Sequence, residues 1–178
     1  MLEKGDGTVR AEILLWDSSP SGELACANIN QVASGNSKTR SLVGDGSFEV
    51  CLASDCVHFQ DFHDGLLLTI ARTLCVNGIA LLCQPARGSS LKNFMSLVDF
   101  VNAGGGGGVL FEMTLIEEFV PKVSSLHAEL VSNANENAAY DPDRHRPLLL
   151  VMRKKRILDE VGDGSLVQQF LSSRQNIT

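Results

Sequence analysis

Two apolar runs in this chain end in a carboxylate. Ile13-Leu14-Leu15-Trp16 stops at Asp17, and Val50-Cys51-Leu52-Ala53-Ser54 stops at Asp55. Open α/β sheets bind ligands beyond the carboxyl ends of their strands, so an acid at that position can face a ligand. It can equally cap the helix that follows. Behind Asp55 come Cys56-Val57-His58-Phe59, and His58 and His63 flank the start of a helical pattern, where histidines are commonly solvated or capping. A third candidate is the run Gly104 to Gly108, five glycines after Asn102-Ala103. Residues without Cβ let a backbone approach a phosphate or a similar group closely.

The elements that would position these residues follow from periodicity. Residues 11–16 and 48–54 read as short strands. Between them lies a polar insertion, residues 18–47, with a helix expected over 24–32. Phe62, Leu66, Ile70 and Leu74 recur at four-residue steps and predict a helix that Asn77-Gly78 stops. Ile79 to Cys83 is a wholly apolar strand before Pro85. Leu91, Phe94, Met95, Val98 and Val101 form the buried stripe of a helix capped by Ser89 or Ser90. A strand over 109–115 follows the glycines. An amphipathic helix then carries Val123, Leu126, Leu130 and Val131, and a turn at Asp141-Pro142-Asp143 precedes a last strand over 147–152. Arg153-Lys154-Lys155-Arg156 reads as a solvated strand exit, with the capacity to dock an acidic partner. Residues 157–178 form a weakly helical tail broken at Gly162 and Gly164. Alternating strands and helices with apolar strands predict an α/β fold, an open sheet covered on both faces.

That order decides the role of the glycines. A cofactor loop leaves a strand and enters a helix, whose N-terminal amides face the ligand. Here a helix precedes and a strand follows, so the run is a connector at the opposite end of the sheet. No G-x-G-x-x-G occurs in the chain. None of the five cysteines forms C-x-x-C, and no spacing completes a zinc site, so no metal is expected. Free, buried thiols point to a reducing compartment, cytoplasmic and also nuclear. His127 and His145 are expected to hold the segment between the last two strands. A net charge of -6 argues against nucleic-acid binding. No apolar run reaches spanning length, so no membrane partner is expected, and the chain reads as a monomer.

From Phe48 onward the residues resemble the calmodulin-lysine N-methyltransferase family, class I S-adenosylmethionine-dependent enzymes with a seven-stranded Rossmann-like sheet. The likeness rests on Phe48 to Cys56, on Gly78 to Leu82, and on Pro85-Ala86-Arg87-Gly88 continuing to Phe94. Leu126 to Leu130 and His145 to Val151 extend it, and Ile13 to Asp17 looks like the end of the family's third strand. The match covers most of residues 11–156.

The resemblance implies a sheet ordered 3-2-1-4-5-7-6 and methyl transfer from S-adenosylmethionine to a lysine of calmodulin. Trp16 and Asp17 would lie by the adenine, and Ala53 and Ser54 would line the cofactor. Asp55 would stand near the methionine tail and the incoming lysine. Related enzymes carry Asp-x-x-Tyr or Asp-x-x-Phe here, whereas this chain has Asp55-Cys56-Val57-His58 with Phe59 next. Either His58 or Phe59 would face the lysine. The family's first-strand glycine loop and second-strand acid do not occur in this sequence. The expectation is therefore an incomplete sheet, third to seventh strands, with the first and second strands missing. The domain would span 1–156. Two alternatives stand beside this reading: a related protein-lysine methyltransferase with another substrate, and an inactive partial fold serving as an interaction module.

Overall fold

The computed structural model describes residues 13–14, 26–27, 46–104, 107–133, 139–159 and 162–175. Strand β1, Ile13–Leu14, pairs antiparallel with β2, Cys26–Ala27, in a two-stranded ladder of its own. Two expectations change here. Of the strand read at 11–16, the described Ile13–Leu14 do not enter the main sheet as its third strand. Cys26 and Ala27, expected in a helix over 24–32, are extended. A helix that short is marginal unless a face packs, whereas pairing two extended segments satisfies backbone groups directly.

The main sheet has four strands: β3 Phe48–Ser54, β4 Leu74–Gln84, β5 Phe111–Ile116 and β6 Leu148–Lys154. Their order is β3-β4-β6-β5. β3 and β4 run parallel, while β6 is antiparallel to both β4 and β5. The fold is thus α/β with a mixed sheet, and these strands stand in the order expected of the fourth, fifth, seventh and sixth.

Helix α1, His63–Thr73, follows a 3-10 turn at Gln60–Phe62, and every residue of it is buried. Its run Gly65-Leu66-Leu67-Leu68-Thr69-Ile70-Ala71 has almost no polar face, so it can only be an interior helix. The helix ends at Thr73, and Leu74 is already extended. Asn77-Gly78, expected as the helix stop, instead forms an irregularity inside β4. Phe48 faces Leu74 whereas Val50 faces Ile79, and Asn77 has φ 69. Gly78 fits there because a Cβ would meet the Cys75 carbonyl oxygen at 2.9 Å and that of Glu49 at 3.1 Å.

Helix α2, Ser90–Gly104, buries Leu91, Phe94, Leu97, Val98 and Val101, and Met95 is only half-buried. Helix α3, Pro121–Ser132, departs from expectation: none of its residues is buried, and Leu126 and Val131 are exposed. The stripe has the right period, but no described element covers it. After the short turn α4, Pro142–His145, and β6, helix α5 spans Gly162–Gln175 and packs on α1 and α2. It starts at Gly162 and passes through Gly164 without the expected break.

The basic run Arg153 to Arg156, which begins inside β6, is only partly a solvated exit. Lys154 is buried and donates to the carbonyls of Ala71 and Leu74, closing the end of α1. Arg156 is turned onto Asp163. The described glycines of the run, Gly104, Gly107 and Gly108, lie toward the end where Phe111 pairs with Lys154, away from the end where Gln84 pairs with Leu148. Asn102 fastens its exit: Oδ1 accepts from the amides of Leu110 at 2.8 Å and Phe111 at 3.1 Å, and Nδ2 donates to the Phe111 carbonyl at 2.8 Å. Among the described residues the order expected of a connector holds, helix α2 before and strand β5 after, but Gly104 itself is the last residue of α2.

Candidate functional site

Asp55 leaves β3 with its amide still bonded to the Cys83 carbonyl at 3.1 Å, and its φ is 51. A non-glycine residue in that region is uncommon and strained. Its carboxylate does not cap α1, the helix that follows: the N-cap there is Phe62, which makes no side-chain cap bond. It is held instead by Arg87, with Nη2 at 2.8 Å from Oδ2 and Nε at 3.3 Å from Oδ1. Arg87 also has a left-handed backbone, φ 53, followed by Gly88 at φ 67. Asp143 fixes that turn: its carbonyl accepts from the Arg87 amide at 2.9 Å, and its carboxylate from the Gly88 amide at 2.6 Å. Three segments meet here: the end of β3, the loop after β4, and the segment between β5 and β6.

The chain from Asp55 to Phe62 is pinned at its middle. Val57 is buried, and its amide donates to Gln84 Oε1 at 3.0 Å. Its carbonyl accepts from His63 Nε2 at 2.9 Å and from the Ser90 hydroxyl. His63 is therefore neither solvated nor a cap. It is buried with its ring edge-on to Phe94. The Gln84 side-chain nitrogen is buried without a hydrogen-bond partner among the described residues.

With Val57 anchored inward, His58 and Phe59 turn outward. Their ring centroids are 4.8 Å apart, and Phe59 meets Phe62 edge-on at 6.3 Å. Phe59 is 62% exposed and Phe62 51%, an aromatic shelf on the segment that follows Asp55. His58 and Phe59 thus stand side by side. Phe62, Arg87 and Asp143 belong to the same region and escaped the sequence reading. Phe62 looked like a core residue because it continued the four-residue period.

Of the expected cofactor residues, Ala53 is half-buried and Ser54 exposed, at the open end of β3. Trp16 and Asp17 lie outside the described residues. The small side chains of Ala53 and Ser54 leave the backbone approachable at that strand end. Among the described residues Gly88, φ 67, is a glycine in a strand-to-helix turn, between β4 and α2, and its amide is already taken by the Asp143 carboxylate.

Cys51, Cys56, Cys75 and Cys83 are free and only half-buried, where buried thiols were expected. Burial pushes the Cys56 thiol up, and the Asp55 carboxylate adds to it. In the segment between β5 and β6, His127 Nδ1 lies 2.7 Å from the Tyr140 hydroxyl, and Tyr140 stacks on His145. His145 Nδ1 accepts from the Asp141 amide at 2.9 Å, so both histidines hold this segment as expected. Among the described residues no group of three or more His, Cys, Asp or Glu is placed to bind a metal ion, and no helix is long and apolar enough to cross a membrane.

No family model matches the chain. Over 106 residues it is 30% identical to a calmodulin-lysine N-methyltransferase of Arabidopsis thaliana, a stretch covering 58% of this chain and 32% of that protein. The chain thus spans about a third of the length of the curated relative it matches. A distant sequence likeness to a methyltransferase and a four-stranded mixed sheet consistent with a methyltransferase-like fold are the two findings that bear on function.

Proposed function

We propose that the protein serves S-adenosylmethionine-dependent methylation of a protein lysine, with calmodulin as the first substrate to test. The observation that carries this reading is Asp55, closing a parallel strand at the ligand-binding end of the sheet and followed by exposed aromatic rings. S-adenosylmethionine, when bound, supplies an electrophilic methyl group on a sulfonium. Ala53 and Ser54 line the cofactor in this reading, and Trp16 and Asp17 serve its adenine side. Asp55 accepts a hydrogen bond from the incoming amine and orients it. His58, Phe59 and Phe62 flank the alkyl chain and exclude water. A free lysine, with a pKa of about 10.4, must lose its proton before it can attack. Desolvation against the aromatic shelf lowers that value. The reading places the protein in the cytoplasm and nucleus.

The test is incubation of the protein and its Asp55→Asn variant with S-adenosylmethionine and calmodulin, a chaperone and an elongation factor, read by mass spectrometry. Methylation of a lysine by the wild type, diminished in the variant, supports the reading. Which substrate is modified decides between calmodulin and a related enzyme's target. A second reading, an interaction module, is favoured by the edge strand β3, whose Phe48, Val50 and Leu52 are exposed at 47%, 54% and 74%. Transfer to no substrate, together with no S-adenosylmethionine binding by calorimetry, would leave that second reading standing.

A further inference from the structure

We propose that Arg87 is a positioning residue that lets Asp55 orient a lysine amine without locking the amine in its protonated form. The inference rests on the reading of Asp55 as the amine's partner. A bare carboxylate within about 4–6 Å of an ammonium favours the charged form by about 1–3 pKa units. That is the wrong direction for a group that must become a nucleophile, so a lone acid at this place would bind the substrate and hinder it.

The geometry resolves the conflict. Arg87 engages both oxygens of Asp55, at 2.8 and 3.3 Å. A carboxylate has roughly four lone-pair sites, and a two-pronged guanidinium occupies about two of them. The Asp55 side chain remains 51% exposed, against 27% for Arg87, so its outer edge is open to a donor. An amine arriving there meets a hydrogen-bond acceptor whose charge is largely cancelled.

The arrangement is held from behind. Asp55 and Arg87 both have positive φ, which non-glycine residues adopt only when their surroundings impose it. Asp143 imposes it on the Arg87 side, through the amides of Arg87 and Gly88. The other charged or titratable groups are placed accordingly. The Asp143 carboxylate accepts from a main-chain amide, Asp141 pairs with Arg144 at 3.3 Å, and Cys56 presents a thiol whose pKa is raised. Arg87 is the cation on Asp55 among the described residues.

The test needs no methyl transfer. Uniformly 15N-labelled protein is titrated with N-acetyl-lysine-N-methylamide and with its neutral analogue bearing a terminal hydroxyl. The amide signals of Ser54, Asp55 and His58 are followed in wild type, Arg87→Gln and Arg87→Lys. The wild type and Arg87→Lys are expected to favour the cation by no more than a few-fold. Arg87→Gln, which frees the carboxylate's charge, is expected to raise that preference about tenfold, the equivalent of one pKa unit. An unchanged preference in Arg87→Gln, or equal weakening of both ligands, overturns the inference, because Arg87 would then only hold the loop. A tenfold cation preference already present in the wild type overturns it too, and that result does not depend on any variant folding. Binding of neither ligand at Asp55 defeats the amine-site reading itself, and this inference with it.

Discussion

Asp163 is 1% exposed, and a single guanidinium takes both of its oxygens: Arg156 Nη1 lies 2.6 Å from Oδ2 and Nη2 2.7 Å from Oδ1. Arg156 comes from the chain just after β6, and Asp163 from the first turn of α5, so the pair ties the tail helix to the sheet. Removing one partner strands a buried charge. Asp163→Asn and Arg156→Met are each expected to lower stability by about 3–5 kcal/mol in urea unfolding, and the double variant Arg156→Met/Asp163→Leu by less. A single-variant loss under about 1 kcal/mol, the range of surface pairs, contradicts this. The hydrogen bonds to Asp163 raise the arginine's pKa above its ordinary value. Its contribution is then fully present below the unfolded arginine value and lost only as pH rises through the folded one, so moderately alkaline pH leaves it intact.

Gly104 and Leu166 make the second contact that seats α5. A Cβ at Gly104 would lie 2.7 and 2.8 Å from the two Leu166 methyl carbons and 3.3 Å from Cγ. In an unobstructed helix, alanine in place of glycine stabilises by up to about 1 kcal/mol. Here Gly104→Ala is expected to destabilise by about 1–3 kcal/mol through overpacking. Leu166→Ala in the same chain should recover part of that loss. Additive effects of the two substitutions would show that the helices do not meet there.

Two leucines of helical stripes should behave in opposite ways. Leu97 on α2 is wholly buried, and Leu97→Ala is expected to cost about 2–5 kcal/mol. Leu126 on α3 is 52% exposed, and Leu126→Ala should change stability by no more than about 0.5 kcal/mol. Thermal or urea unfolding distinguishes them, and equal losses would mean that α3 is covered after all.

Alkaline pH should weaken the fold through two thiols. Burial pushes Cys51 up, with Cys56 adding to it, and burial also pushes Cys56 up, with Asp55 adding to it. A folded pKa above the unfolded value means that the unfolded chain loses these protons first. The stabilisation is complete below about pH 8.5, the unfolded cysteine value, and is lost as pH rises through the folded values. The urea midpoint is expected to fall above that pH in the wild type and to fall less in Cys51→Val/Cys56→Val. Identical pH profiles for the two proteins would refute it.

Strand and helix periods are properties of single segments, and they were legible at once. The alternation of apolar strands with helices over 48–156 predicted the α/β class, and the helix-before-strand order placed the glycine run at the far end of the sheet. Asp55 was legible as a strand-end acid because a strand's apolar run stops where burial stops. Its alternative as a helix cap was equally legible, and only the fold removed it: the carboxylate meets Arg87, 32 residues along the chain. Lys154 looked solvated within a basic run, and Phe62 looked buried within a helical period. Each was decided by which surface another segment covered. Propensity and periodicity act between neighbours in sequence, so the sequence by itself determined most of the elements from Phe48 onward and the end of the sheet at which Asp55 stands. Which charges pair, which helix faces stay bare and which aromatic rings turn outward depend on contacts between distant segments, and only the tertiary structure decided those.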